Sequence, residues 1–147
     1  MKKIIISTLF SVVYVFCAAQ SESDIFGEWF NEEKDAVVTI YKDGNSISGK
    51  TTWLKEPLDS KGNAKLDLKN PDEKLRSRKR MGLKIMHSFK YNDQENIWED
   101  GRIYDPKKGK LYGGTATLVN KNELKLKGYI ISMPFLGRTA TWTRKTN

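Results

Sequence analysis

Between residues 27 and 144 apolar and polar residues alternate with a period of two, and clusters of turn residues interrupt the alternation at short intervals. The pattern predicts eight strands, over 27–30, 36–42, 46–54, 83–91, 97–104, 111–119, 123–131 and 137–144. Asp43-Gly44-Asn45, the run 92–96, Pro106-Lys107-Lys108-Gly109 and Asn120-Lys121-Asn122 supply the turn chemistry. Strands in hairpin order, with no room for crossover helices, predict an all-β, antiparallel, up-and-down closed barrel or sandwich. Closure also removes exposed sheet edges.

One segment breaks the rhythm. Residues 55–82 form 28 positions without alternation, and loops of that length inside a compact domain often carry function. Within it, Asn70 as a cap, Pro71 at the first helical position and Asp72 and Glu73 behind it predict a short helix over 71–77. Such a helix would serve as a lid or complete the core.

In a barrel, alternate residues face inward. Leu124, Leu126, Gly128 and Ile130 oppose Lys125 and Lys127; Leu83, Ile85, His87 and Phe89 oppose Lys84 and Lys90; and Tyr112, Gly114, Ala116 and Leu118 oppose threonines. The apolar sets are expected inside. In the last strand the bulk of Trp142 selects Arg138, Ala140, Trp142 and Arg144 as the inner face. Strand 97–104 stays open, with Ile97, Glu99, Gly101 and Ile103 on one face and Trp98, Asp100, Arg102 and Tyr104 on the other. If the second face is inside, Asp100, Arg102 and Tyr104 join His87 and Arg138 among apolar walls, the form of a small-molecule site able to grip a carboxylate or phosphate. If the first is inside, Asp100 and Arg102 form a solvated pair of little energetic weight.

The N-terminus changes the compartment. Lys2 and Lys3 precede an uncharged, almost wholly apolar run of 14 residues, Ile4 to Cys17, and the small residues Ala18 and Ala19 follow Cys17. This is the layout of a signal peptide over 1–19, cut after Ala19, with a single domain over 20–147. The run is short of the roughly 20 residues a membrane span needs, and Phe16 occupies the position where lipidation of Cys17 needs a small residue. The mature protein is expected to be exported, to the periplasm or beyond the cell.

Cleavage leaves 128 residues, lowers the net charge from +8 to +6 and removes the only Cys. A Cys nucleophile, a Cys-ligated zinc and a redox pair are thereby excluded, and about 130 residues can bury enough surface to fold on a hydrophobic core alone. Export makes nucleic acid an unsuitable partner despite the positive charge. No cofactor and no metal site is expected, because Asp59, Asp67 and Asp72 lack calcium-loop spacing. The sole histidine, His87, is either a satisfied core residue or a general base, and no Gly-x-Ser-x-Gly accompanies it. Glu99, Asp100 and Asp105 offer carboxylate pairs for hydrolysis, but acids beside hairpin turns are usually solvated. Lys74, Arg76, Arg78, Lys79 and Arg80 place five cations in seven residues, suited either to an anionic membrane surface or ligand, or to a solvated face.

Gly27-Glu28-Trp29 opens the first strand and Arg144 follows Trp142 in the last. This resembles the lipocalin and calycin pattern, in which a Gly-x-Trp at the barrel's closed end lies beneath a final-strand cation. Thr52-Trp53-Leu54-Lys55-Glu56-Pro57, the run 67–78, Gly101-Arg102-Ile103-Tyr104-Asp105-Pro106, Gly109-Lys110-Leu111-Tyr112 and the run 137–144 follow in order. Together they resemble the bacterial family called domain of unknown function 2147. The resemblance implies an exported bacterial protein with an eight-stranded lipocalin-like barrel and brings no activity, ligand or catalytic residues with it.

The sequence thus points first to a non-enzymatic barrel that binds a small amphipathic or anionic molecule. Arg102, Tyr104 and Arg138 would grip the polar group, with Asp100 and His87 beside them and Trp98 and Trp142 on the wall. A second reading is an envelope interaction protein with a solid barrel, acting through Lys74 to Arg80. A third is a hydrolase. Oligomeric state is left open.

Overall fold

The structure, a computed structural model, describes residues 20–146; the expected signal peptide, 1–19, lies outside the described residues. Eight antiparallel strands close into a barrel in sequence order: β1 (Gly27–Phe30), β2 (Ala36–Asp43), β3 (Ser46–Leu54), β4 (Lys84–Asn92), β5 (Ile97–Asp105), β6 (Lys110–Asn120), β7 (Glu123–Ile130) and β8 (Met133–Arg144). The alternating segments form strands because each sends one apolar face inward and a polar face to water. β1 closes the barrel against β8 through only two register pairs, Trp29 with Arg144 and Phe30 with Thr143.

The two ends of the barrel differ. The β2–β3, β4–β5 and β6–β7 turns share one end with a one-turn 3-10 segment, Glu22–Ile25. There Trp29 is fully buried, its indole N–H donates to the Ile25 carbonyl at 2.8 Å, and the Arg144 guanidinium stacks 4.1 Å from its ring centroid. Arg144 also donates to the carbonyls of Phe26 and Asp24, at 2.7 and 2.6 Å. A delocalised cation above an indole face with its donors satisfied is a stable way to seal this end, and it is the pairing that the Gly-x-Trp resemblance implies. Trp98 stacks on Tyr91, with ring centroids 5.0 Å apart, and donates to the Glu22 carbonyl.

Below mid-height the interior is solid. Ile25, Ile40, Ile47, Met86, Phe89, Trp98, Ala116 and Leu124 pack with Trp29 into one buried cluster. The Phe89 ring lies across Gly101 and Gly114, where an added Cβ would meet it at 2.4 and 2.8 Å. Glycine is required at these two positions because the ring occupies the space a side chain would take.

Two irregularities correct the expected strand faces. Ser88 and Asp100, which lie between the His87–Arg102 and Lys90–Glu99 pairs of β4 and β5, have positive φ, 58° and 57°, a left-handed conformation uncommon for such residues. Each inserts a half-turn that reverses the later alternation. Hence Met86 and Phe89 point inward while His87 points out, and in β5 Trp98 is inward but so are Gly101 and Ile103.

The long segment 55–83 is held by isolated bridges, Leu58 with Ala64 and Leu66 with Lys79. The helix expected over 71–77 is reduced to one 3-10 turn, Glu73–Leu75, capped by Asp72. Asn70 does not act as the cap because its side chain is committed elsewhere: its amide donates to Asp67 and Tyr104, and its carbonyl oxygen accepts from the Asp72 N–H.

Candidate functional site

Above Phe89 the barrel is hollow. A cavity of about 720 Å³ opens at the end formed by the β1–β2, β5–β6 and β7–β8 turns and the segment 55–83. Its apolar wall includes Val38, Ile85, Ile103, Leu126 and Ala140, with Trp142 deepest. Thr51 and Tyr112 also line it, and among the described residues neither hydroxyl makes a hydrogen bond. Lys55, Lys65, Arg80, Lys107, Lys108 and Arg138 stand at the rim, against Glu33, Asp35, Glu56 and Asp105. The volume and the apolar depth with few polar groups match the usual form of a small-molecule pocket.

Most rim charges are paired. Lys107 meets Asp35 at 2.6 Å, Lys65 meets Glu56 at 3.2 Å, and Arg138 pairs with Glu32. Arg80 donates to the carbonyls of Leu66 and Pro106, which ties the long segment to the β5–β6 turn. The Lys55 ammonium has no carboxylate partner among the described residues. Asp35 is held below the usual carboxylate range: burial opposes ionisation, but hydrogen bonds from Lys107 and Asn31 together outweigh it.

The residues expected to form the site are scattered. Trp142 lines the cavity, and Arg138 reaches the rim, where it is largely exposed. Trp98 is interior but belongs to the solid half, so it is core rather than wall. Asp100, with its side chain 68% exposed, faces solvent and meets Lys90 at 3.6 Å. Arg102 and His87 pair across β4 and β5 outside the barrel. Asp100, Arg102 and His87 are therefore not cavity residues, and the left-handed residues Ser88 and Asp100, which reverse the alternation in β4 and β5, are the cause. Burial and then the neighbouring Lys84 cation hold the His87 pKa below its ordinary value.

Tyr104 borders the cavity, and its hydroxyl turns into a buried polar cluster. It donates to Asp67 at 2.5 Å and accepts from Asn70 at 3.1 Å; Asp67 also accepts from Asn70 at 2.8 Å and Arg78 at 3.0 Å. Asp67 is 0% exposed, and these donors satisfy it. Burial first, and then the Asp67 carboxylate, push the Tyr104 pKa up to about 12.

The same contacts absorb much of the basic cluster. Arg78 serves Asp67, Arg80 the two carbonyls, and Arg76 both the Asn70 carbonyl and Glu73. Lys74 and Lys79 remain at the surface without carboxylate partners among the described residues. The cavity wall at Val38 and Thr51 and the rim at Lys55, Lys65 and Arg80 went unpredicted, while Ile103 belonged to one of the two faces left open for its strand. Alternation alone identified Leu126, Tyr112 and Ala140 as inward.

Residues 27–144 match a family described as uncharacterised proteins conserved in bacteria, DUF2147. The chain belongs to that family. The barrel of this DUF2147 member is also similar to a solved structure titled as Protein HP1028 from the human pathogen Helicobacter pylori, which belongs to the lipocalin family. The TM-score is 0.64 at 20% sequence identity, over 76% of this chain and 73% of that one. At that identity the likeness is one of fold, and the DUF2147 chain has a lipocalin-like barrel. No curated protein matches the sequence significantly.

Proposed function

We propose that this DUF2147 protein is an exported, non-enzymatic carrier, in the periplasm or outside the cell, that holds a small amphipathic molecule in the open half of its barrel. Export rests on the charged, apolar and small-residue order of residues 1–19. The observation that carries the binding reading is the cavity of about 720 Å³, apolar in its depth and lined at its mouth by charged groups of both signs. An apolar tail would displace poorly bonded water from the wall formed by Ile103, Leu126, Ala140 and Trp142. An anionic head would remain at the rim near Lys55, whose ammonium has no carboxylate partner among the described residues. Tyr112 and Thr51 offer hydroxyls part-way down.

A carrier suits these groups better than a hydrolase does. Catalysis needs a positioned acid or base within reach of substrate. His87 lies outside the barrel, and the rim acids Asp35, Glu56 and Asp105 face lysine partners.

Native mass spectrometry of protein purified from its own compartment, together with titration by a fluorescent fatty acid, tests this reading. A bound mass of a few hundred daltons, or saturable one-to-one binding of the fatty acid, is expected. An apo mass combined with no saturable binding overturns it.

A further inference from the structure

The β7–β8 hairpin carries an unusual tip. Residues 129–137 contain no charge, and Ile130, Ile131, Met133, Phe135 and Leu136 are each at least 40% exposed, Phe135 reaching 79%. The register explains the protrusion. Tyr129 pairs with Gly137, but Ile130 pairs with Met133, so Pro134, Phe135 and Leu136 have no partners on β7 and loop outward. Pro134 fits there because an unpaired position needs no N–H. Five exposed apolar side chains on one hairpin form a contiguous patch of the kind that marks an interaction surface.

The charges behind the tip indicate what it meets. Lys125 and Lys127 point outward from β7, and Lys110 does so at the start of β6, near the same end; none has a carboxylate partner among the described residues. At about 3.4 Å per residue, Lys127 stands roughly 10–14 Å behind the apex. Most acids at this end are paired with other cations, Glu32 with Arg138, Asp35 with Lys107, Glu56 with Lys65 and Asp105 with Lys108, while Glu33 is held by the neutral Asn31 amide. The result is a convex apolar apex followed by unneutralised cations. A protein groove would need a matching concave surface, whereas a fluid bilayer accepts any convex apolar shape and supplies anionic head groups at the depth of the lysines.

We propose that the β7–β8 tip inserts into the interface of an anionic lipid bilayer and docks the mouth of the barrel against it. Ile130 and Leu136 line both tip and cavity, so docking would place the cavity entrance at the membrane surface. The inference does not require the cavity to be filled.

Co-sedimentation of the mature protein with phosphatidylglycerol–phosphatidylcholine vesicles tests it. The parent is expected to bind, with binding falling as salt rises and as phosphatidylglycerol is replaced by phosphatidylcholine. Ile131→Ser/Phe135→Ser, at two exposed tip residues that do not line the cavity, should weaken binding at least tenfold while leaving fluorescent fatty acid binding intact. Val119→Ser, an exposed apolar residue at the opposite end, should bind vesicles as the parent does. In Phe135→Trp, brominated lipids should quench the added indole. Equal vesicle binding by parent and the double variant, or an unquenched indole, overturns the inference. So does a parent that ignores vesicles and instead forms a dimer in sedimentation velocity that the double variant abolishes.

Discussion

The Tyr104 hydroxyl donates to Asp67 at 2.5 Å across 37 residues of chain, joining the end of β5 to the long β3–β4 segment. Because Asp67 is fully buried, this bond and those from Asn70 and Arg78 hold the segment against the barrel. Tyr104→Phe is expected to cost about 1–3 kcal/mol, as it removes one donor from a buried carboxylate. Asp67→Ala should cost more, about 3 kcal/mol or above, because it leaves two buried groups without their acceptor. Urea denaturation measures both, and limited proteolysis should nick Asp67→Ala first within residues 55–82. Parent-like stability and an uncut segment would show that the cluster does not pin it.

Alkali offers a second view of the same bond. The Tyr104 pKa is about 12 in the folded protein, against 10.0 for an ordinary tyrosine. A folded pKa raised above the unfolded one stabilises the protein fully below pH 10, and the contribution is lost as pH rises from about 10 to 12. Absorbance at 295 nm should therefore show one tyrosine ionising late. The stability of Tyr104→Phe should fall less steeply than the parent's across that window; identical slopes would assign the loss to other groups.

Acid acts on His87 in the opposite sense. Its folded pKa is depressed by burial and by Lys84, so the neutral form stabilises the fold above the ordinary value of 6.5, and that stability is lost as pH falls below it. NMR titration should place the His87 midpoint below 6.5. His87→Gln should flatten the fall in stability on the acid side, and a midpoint at or above 6.5 would refute the depression.

Strand number, order and most boundaries were legible because each strand pairs a half-buried face with strong turn chemistry. Thus 27–30 and 46–54 are found as expected, and the others shift by one residue or, for β8, by four at its start. Gly27-Glu28-Trp29 and Arg144 also disclosed the closed end. Side-chain direction in β4 and β5 was not legible. Ser88 and Asp100 adopt left-handed backbone that no local sequence feature demands, and each reverses the faces after it. Asp67 was hidden for another reason: an acid in a polar loop is ordinarily solvated, and only the folded segment brings Tyr104, Asn70 and Arg78 to it.

Glycine at 101 is a packing requirement. A Cβ there would lie 2.4 Å from the Phe89 ring, which is fully buried at the boundary between the solid and hollow halves. Gly101→Ala is expected to cost about 1–3 kcal/mol through overpacking, read as a lowered melting temperature. Pairing it with Phe89→Leu should recover part of the loss relative to the two single changes added together. Strict additivity would mean that the two sites do not meet.

The cavity can be closed without disturbing the core beneath it. Ala140 faces the interior beside Leu126 and lines the hollow half above Trp142. An indole at that position would project into open space rather than into packed side chains. Ala140→Trp should therefore keep the melting temperature within a few degrees while reducing fluorescent fatty acid affinity at least tenfold. Trp142, buried at the cavity's depth, should report binding in the parent through its own emission, and Trp142→Phe should lose most of that signal. Trp29 and Trp98 belong to the solid half and Trp53 is exposed, so they should contribute little. If Ala140→Trp binds the fatty acid as tightly as the parent, the ligand occupies some other surface and the hollow half of the barrel is not the site.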